Sequence, residues 1–186
     1  MTKFIRTIFL TLLFSLVVCV PCFAQYLYSA DKSACFVVND NWRKISIKDN
    51  FTMEVITIGY GGYSNNTYIS LKKNRYPSNF KELKYCDYAT KVALTNDSIN
   101  TSLRNLRNQG FTISVNGTPS ISNNSVIIGY VCSKDGKTYR VSETYTIKDY
   151  YGYCLVTFSP EEGIVDMYDA VSNLFVNGKE WFDFIQ

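Results

Sequence analysis

The sequence contains no histidine. Without an imidazole it can form no Ser-His-Asp or Cys-His catalytic arrangement and no HExxH zinc site, and it has no general base with an ordinary pKa near neutral pH. It also contains neither a GxxxxGK[ST] phosphate loop nor a GxGxxG dinucleotide motif. We therefore expect a protein that is not an enzyme, with no catalytic residue, no metal site and no cofactor.

The sequence also lacks any block of five or more basic residues, and no apolar run after residue 24 is long enough to span a membrane. The first 24 residues hold two of the 19 basic residues and none of the 16 acidic ones, so 17 basic residues face 16 acidic ones in the remainder. Binding DNA or RNA requires a concentrated positive surface. We expect no nucleic-acid partner and no membrane span once the leader is removed.

The N-terminal segment has the pattern of a secretory signal peptide. Lys3 and Arg6 precede an apolar run over residues 8–20, which ends at Pro21 and a small residue, Ala24. This pattern predicts a signal peptide over residues 1–24, with a retained anchor as the alternative. Lipid anchoring is less favoured, because neither cysteine of this segment follows a small residue. We expect export to the periplasm or outer cell envelope of a Gram-negative bacterium.

Four cysteines follow the leader: Cys35, Cys86, Cys132 and Cys154. An even number in an exported chain favours disulfides, and four cysteines permit three complete pairings. A hairpin turn at Asp135 and Gly136 and a loop at residues 150–152 place Cys132 and Cys154 at strand levels about 20 Å apart, so these two should not pair. Buried free thiols are the alternative.

The hydrophobic period changes twice along the chain. Alternating apolar residues predict strands at residues 45–55 and 68–72. Helical spacing follows, with one helix capped at Asn79 and a second that is capped by Asp97 or Ser98 and ends at Gly110. Its apolar stripe should face the sheet and consists of Ile99, Leu103 and Leu106.

The period returns to two after Gly110. Strands are predicted at residues 111–115, 126–132, 139–147 and 153–158, as an antiparallel meander with Cys132 opposite Tyr139. A last helix is expected to start with Ser159 as its cap and to end at Asn177 and Gly178. Its predicted buried stripe is Ile164, Tyr168, Val171 and Phe175. The tail aromatics Trp181, Phe182 and Phe184 should pack back on the domain.

These elements predict a single α+β domain over residues 25–186, with an antiparallel β-sheet packed against helices. The order of these elements resembles that of the PsbP-like α/β sandwich family. The matching features are the start at Trp42, the strands at 45–55, the helix before Phe111, the meander at 126–158 and the closing helix at 159–175. The resemblance is one of architecture. It implies a non-catalytic adaptor or binding subunit and carries over no functional residue.

Aromatic residues supply the first candidate contacts. The chain has 15 tyrosines, none of them in the leader. Tyr60, Tyr63, Tyr150 and Tyr151 fall in predicted loops, where aromatic faces can stack on sugars or anchor a protein partner.

Two further residues stand out. Glu143 shares a strand face with Tyr139, Val141 and Tyr145, so it is either solvated on a partly covered face or buried with a partner such as a tyrosine hydroxyl or a lysine. Ser98 lies in an Asp-Ser-Ile tripeptide that resembles an O-glycosylation acceptor of exported proteins in some Gram-negative bacteria, and helix capping is the alternative explanation.

Together these features predict an exported, non-enzymatic binding module that contacts a protein partner, with an immunity protein or an adaptor as concrete forms. A carbohydrate-binding or small-molecule-binding protein that uses loop aromatics is the first alternative. A carboxylate-dependent hydrolase that uses Glu143 is the second.

Overall fold

The computed structural model describes residues 24–45, 51–57, 66–75 and 77–186. The leader up to residue 23 and the candidate residues Tyr60 and Tyr63 lie outside the described residues. Within them the chain forms an α+β unit, as the alternation of periods predicts, and its strands form two antiparallel sheets. None of the helices in these ranges is long and apolar enough to cross a membrane.

The larger sheet holds the predicted strands. Eight strands belong to it in the described part of the chain: β3 (Trp42–Ile45), β4 (Met53–Thr57), β5 (Tyr68–Lys73), β6 (Thr112–Asn116), β7 (Ser120–Ile121), β8 (Val126–Lys134), β9 (Lys137–Lys148) and β10 (Tyr151–Pro160). Their spatial order is β3-β4-β5-β10-β9-β8-β6, and β7 also pairs with β8. Cys132 lies opposite Tyr139 and Cys154 opposite Tyr145, so the hairpin registers are confirmed.

The smaller sheet is an addition that the sequence pattern did not predict. It contains β1 (Gln25–Tyr28), β2 (Ala34–Val38), β11 (Leu174–Val176) and β12 (Lys179–Glu180) in the order β1-β2-β11-β12. Asn177 and Gly178, expected to stop a helix, instead form the two-residue turn between β11 and β12, with φ of 50° and 76°. This left-handed pair is typical of a tight hairpin.

The last predicted helix is therefore too long at both ends. Helix α2 spans Ile164–Ser172 and follows a 3-10 turn at Glu161–Gly163. Ser159 is not its cap, because β10 continues to Pro160 and the Ser159 hydroxyl pairs instead with the hydroxyl of Thr67 at 2.9 Å. In the predicted stripe, Tyr168 is exposed and Phe175 lies on β11. The short helix α3 (Trp181–Phe184) buries Trp181 and Phe184, so the prediction for the tail is confirmed for these two residues.

The structure has one central helix where the sequence pattern predicts two. Helix α1 spans Tyr88–Asn108, after a 3-10 turn at Leu83–Tyr85, and its N-terminus is capped by Asp87, whose side chain accepts from the Thr90 backbone N–H at 2.7 Å. Asp97 and Ser98 lie inside this helix because no glycine or proline interrupts residues 88–108.

The C-terminus of α1 ends as expected at Gly110. This glycine has φ of 87°, and the backbone N–H groups of Gly110 and Phe111 donate to the carbonyls of Arg107 and Leu106. The pattern is a Schellman motif, which favours glycine at its left-handed position. It turns the chain so that Phe111, like Leu106, packs against the apolar cluster under α1.

Three apolar clusters hold the layers together. The smaller sheet, α2 and α3 pack on one face of the larger sheet, over β3, β4, β5 and β10, around Phe36, Met53 and Trp181. On the opposite face α1 covers β8, β9 and β10 through Ile99 and Leu103. The third cluster lies under the 3-10 turn before α1 and includes Leu83, Val126 and Ile147. Each face of the larger sheet is thus covered by a different set of elements over a different half.

The disulfide prediction is wrong for this structure, in which Cys35, Cys86, Cys132 and Cys154 form no disulfide. Cys35 lies on β2 of the smaller sheet, Cys132 is buried under α1, and Cys86 and Cys154 contact the third cluster. Cys86 and Cys154 belong to the same cluster, whereas Cys35 and Cys132 lie in other layers, and buried cysteine packs there as a small apolar residue. Burial raises the pKa of the Cys132 thiol to about 11.

Candidate functional site

A groove of about 420 Å³ lies beside α1, on the face of the larger sheet that this helix covers only in part. The helix packs over β8, β9 and β10, and the adjacent strands β5 and β4 extend beyond it. The step from helix to uncovered sheet forms the groove. Its volume falls within the range of about 300–1,000 Å³ that is usual for binding sites.

One wall of the groove is a polar row on α1. Ser102, Asn105 and Gln109 line it together with Leu106. Spacings of three and four residues place these side chains on one side of a helix. The two amide side chains each carry a donor and an acceptor, so this wall can satisfy both N–H and C=O groups of a bound molecule.

The floor of the groove is apolar. It consists of Val141 on β9 with Val156 and Phe158 on β10. One end is formed by Phe111, whose ring meets Phe158 edge to face with centroids 5.4 Å apart. Such aromatic contacts add to area burial and hold the rings in place. The floor is therefore preformed for apolar groups.

The opposite wall comes from β4 and β5, through Ile56, Tyr68, Ser70 and Lys72. The Ser70 hydroxyl donates to Glu54 on β4 at 3.4 Å. Burial, followed by hydrogen bonding to Glu54, raises the pKa of the Tyr68 hydroxyl well above its usual range. Tyr68 is therefore a neutral side chain at physiological pH, and the positive charge on this wall is the ammonium of Lys72.

Glu143 lies next to the groove floor, buried to 4% exposure, and its carboxyl Oε1 accepts from the Tyr130 hydroxyl at 2.6 Å. Of the two alternatives for this residue, the structure shows the buried one with a tyrosine partner. Burial and the neighbouring Glu143 raise the pKa of Tyr130, which also hydrogen-bonds to Ser102 of the helix wall. The pair connects the floor to α1.

The strand register separates Glu143 from the other carboxylate near the groove. Glu143 lies opposite Val156, Val156 opposite Ser70, and Ser70 opposite Glu54. Three interstrand steps place the Cα atoms of the two glutamates about 14 Å apart. Paired-carboxylate hydrolysis of glycosides uses carboxyl groups about 5–9.5 Å apart. The Glu143 carboxyl accepts from Tyr130 on β8, on the side of β9 away from Glu54, so the register does not direct these two carboxyl groups toward each other, and the hydrolase alternative stays a prediction.

Tyr150 and Tyr151 do not line the groove. Tyr150 is 48% exposed in the turn before β10, whereas Tyr151 is the first residue of β10 and not part of a loop. The Tyr151 ring lies 4.4 Å from the ammonium of Lys73. These two tyrosines are not among the groove residues, so their role in binding stays a prediction.

The groove residues on α1 were missed by reasoning from the sequence. Ser102, Asn105 and Gln109 lie outside the predicted apolar stripe of Ile99, Leu103 and Leu106. The signal that could have found them is their spacing, which puts uncharged side chains in a row next to the apolar stripe, while the charged Arg104 and Arg107 lie off that row.

Ser98 lies in the interior of α1, so the proposal that it caps a helix is wrong, and its glycosylation stays a prediction. Within the described ranges no group of three or more aspartate, glutamate or cysteine side chains could hold a metal ion.

No family model matches this chain, and no curated protein sequence matches it significantly. Among solved structures it is similar to a protein of Bacteroides thetaiotaomicron VPI-5482, with 12% sequence identity and a TM-score of 0.44. The match covers 82% of this chain and 48% of that protein, so this chain spans about half the length of that protein. It is also similar to LpqN, involved in cell envelope biogenesis of Mycobacterium tuberculosis, with 15% identity, a TM-score of 0.45 and coverage of 83% of this chain and 87% of LpqN. Similarities this distant carry no argument about function, and the PsbP-like resemblance stays a prediction.

Proposed function

We propose that this chain is an exported, non-enzymatic binding module that holds a segment of a protein partner in the groove beside α1. The observation that carries the proposal is the row of Ser102, Asn105 and Gln109 along an apolar floor. A polypeptide segment offers what this groove accepts: apolar side chains for the floor and main-chain N–H and C=O groups for the amide wall.

The charge of the groove supports the same occupant. Most of its polar lining is uncharged, and Lys72 lies on the far wall. A nucleic acid or a highly charged metabolite would need several cations around it. A neutral or weakly acidic polypeptide segment has no such requirement.

The leader predicts where this partner would be met, since an exported module contacts proteins of the cell envelope or proteins that arrive from outside. An adaptor and an immunity protein both act in this way, and both work by binding without chemistry. The absence of histidine agrees with this role.

The proposal is tested by site-specific photocrosslinking in the native cell envelope. A benzophenone amino acid is placed at position 105 in the groove wall and, as a matched control, at position 100, another exposed asparagine of α1 that does not line the groove. We expect position 105 to crosslink to one polypeptide, through a segment that mass spectrometry can locate, and position 100 not to.

The partner identified in this way then allows a binding measurement with the full exported chain. Asn105→Arg should weaken binding at least about tenfold, because the added charge must be desolvated over an apolar floor. Asn100→Arg should leave binding unchanged. Crosslinks at position 105 only to lipid or sugar, or equal crosslinks at both positions, would contradict a protein occupant of the groove.

A further inference from the structure

A second pocket, of about 340 Å³, lies on the face of the larger sheet opposite to the groove. It forms where β9 and β10 pass the start of α2. Strand residues provide its base, including Ser142 and Thr157, which lie opposite each other in the register of β9 and β10. Ile164 and Met167 of α2 provide an apolar side.

The rim of this pocket carries a two-bond ion pair. Arg140 donates from Nε to Glu161 Oε2 at 2.9 Å and from Nη2 to Oε1 at 3.3 Å. Both side chains are well exposed, at 60% and 67%. The guanidinium has N–H donors and the carboxylate has lone pairs beyond those used in the pair, so the rim presents donors and acceptors side by side with no net charge.

An aromatic ring completes the rim. Tyr168 lines the pocket and is 62% exposed, although its position on α2 was predicted to be buried. An exposed aromatic face beside polar groups is suited to a ligand with one apolar face and polar edges.

The base holds a hydroxyl without a partner. Thr157 is 6% exposed, and its Oγ1 has no hydrogen-bond partner among the described residues. A buried hydroxyl in this state is costly to the protein alone. Because nothing holds Oγ1 in place, rotation about χ1 can exchange the hydroxyl with the methyl group and turn it toward a ligand in the pocket.

We propose that this pocket binds a neutral pyranose unit. The apolar C–H face of the sugar ring would lie on Tyr168, adjacent sugar hydroxyls would meet Arg140 and Glu161, and another hydroxyl would meet Thr157. Sugar hydroxyls both donate and accept hydrogen bonds, so they suit a rim that presents the N–H donors of Arg140 beside the acceptor oxygens of Glu161. The opposite charges of these two side chains cancel, so the rim suits an uncharged sugar ring. The site is separate from the groove, so the chain has one surface for a protein segment and another for a glycan.

The test is an NMR titration of the isotopically labelled chain without its leader. The probes are methyl β-D-glucopyranoside, methyl α-D-mannopyranoside, methyl β-D-galactopyranoside and N-acetylglucosamine, with phenol as an aromatic control. We expect at least one sugar to cause saturable shifts at the backbone amides of Arg140, Thr157 and Tyr168. Phenol should not reproduce them.

Variants separate a binding role from a structural one. Tyr168→Ala should weaken sugar binding about threefold to tenfold, the range expected for loss of one aromatic contact. Thr157→Val should also weaken it while leaving the melting temperature unchanged or higher, because it removes an unpartnered hydroxyl. Tyr88→Ala is the matched control, an exposed tyrosine of α1 that does not line the pocket.

The proposal is overturned by no saturable shift with any of the sugars, by equal sugar affinity of the wild type and Tyr168→Ala, or by equal shifts with phenol. A loss of sugar binding in Tyr88→Ala comparable to that in Tyr168→Ala would also overturn it. These results leave the protein-binding groove unaffected, since that proposal is tested at α1.

Discussion

The carboxyl group of Glu143 lies on β9 between Val141 and Tyr145, two apolar neighbours on the same strand face, and the hydroxyl of Tyr130 donates to it. A buried carboxyl group without a partner would be costly. The short bond to Tyr130 offsets this cost and also fixes the tyrosine ring under α1. At the scale of the residue, the groove depends on this pair.

We expect Tyr130→Phe to lower the free energy of unfolding by about 1–3 kcal/mol, because the hydroxyl that satisfies a buried carboxyl group is lost. Urea denaturation of the chain without its leader measures the change. Tyr168→Phe, at an exposed ring, removes the same atom without this partner and should change the free energy of unfolding by less than about 0.5 kcal/mol. Equal effects of the two substitutions would contradict the role of the pair.

The alternation of residues on β9 predicted which face Glu143 occupies. It did not predict burial, because the cover comes from α1, whose position over β8 and β9 depends on long-range packing. The choice of Tyr130 as the partner is likewise a property of the strand register, in which Tyr130 lies opposite Val141, next to Glu143 on the same face.

At the scale of the element, helix α1 is the main difference between the predicted and the observed chain. The pattern predicted a break near Asp97, since aspartate and serine are common N-caps. In the structure the helix continues through this point, and the cap is Asp87. Propensity at one or two residues is outweighed here by the face that the helix buries, which runs from Lys91 and Thr95 to Ile99 and Leu103.

We expect Asp87→Ala to lower the free energy of unfolding by about 1 kcal/mol, because the backbone N–H of Thr90 loses its side-chain acceptor. Asp97→Ala is the matched control: it removes an exposed mid-helix aspartate in favour of the best helix former, so stability should stay the same or rise slightly. Thermal unfolding followed by circular dichroism measures both. A larger loss in Asp97→Ala would indicate two helices and not one.

Tertiary contacts also outweigh local spacing where α2 ends and β11 begins. Residues 173–178 continue a helical apolar spacing, yet they form a strand and a turn, because β2 provides an open edge with which Leu174 and Val176 can pair. Hairpin turns were more predictable. Asp135 and Gly136 set the register of β8 and β9 through local backbone preference alone, so the meander followed from the sequence.

At the scale of the whole molecule, the larger sheet is covered over different halves of its two faces. The smaller sheet and α2 lie over one half of one face, and α1 lies over the other half of the opposite face. The steps where this cover ends form the groove and the second pocket. Both sites are thus a consequence of the layer arrangement.

The buried aromatic hydroxyls and thiols predict how the whole fold responds to alkaline pH. Burial raises the pKa of Tyr145 to about 12 and that of Cys132 to about 11, and it also raises the pKa values of Tyr68 and Tyr130. Groups whose pKa is higher in the folded state than in the unfolded chain leave stability unaffected below the unfolded pKa, and stability falls as the pH rises toward the folded pKa.

We therefore expect the free energy of unfolding to be insensitive to these groups up to about pH 9 and to fall steadily from about pH 9 to about pH 12. Urea unfolding at a series of pH values measures the slope. Tyr145→Phe should reduce the dependence of the unfolding free energy on pH above about pH 10, since it removes one hydroxyl whose pKa is raised by burial. An unchanged stability across this range would contradict the burial of these groups.

The sequence by itself determined the class of fold, the meander with its turns and the lack of histidine chemistry, because these depend on local period, turn residues and composition. Tertiary structure alone decided the smaller sheet, the single central helix, the burial of Glu143 and the positions of both pockets. These depend on which surfaces meet, and the free energy of burying one element on another is shared among residues far apart in the chain. No local pattern carries that information.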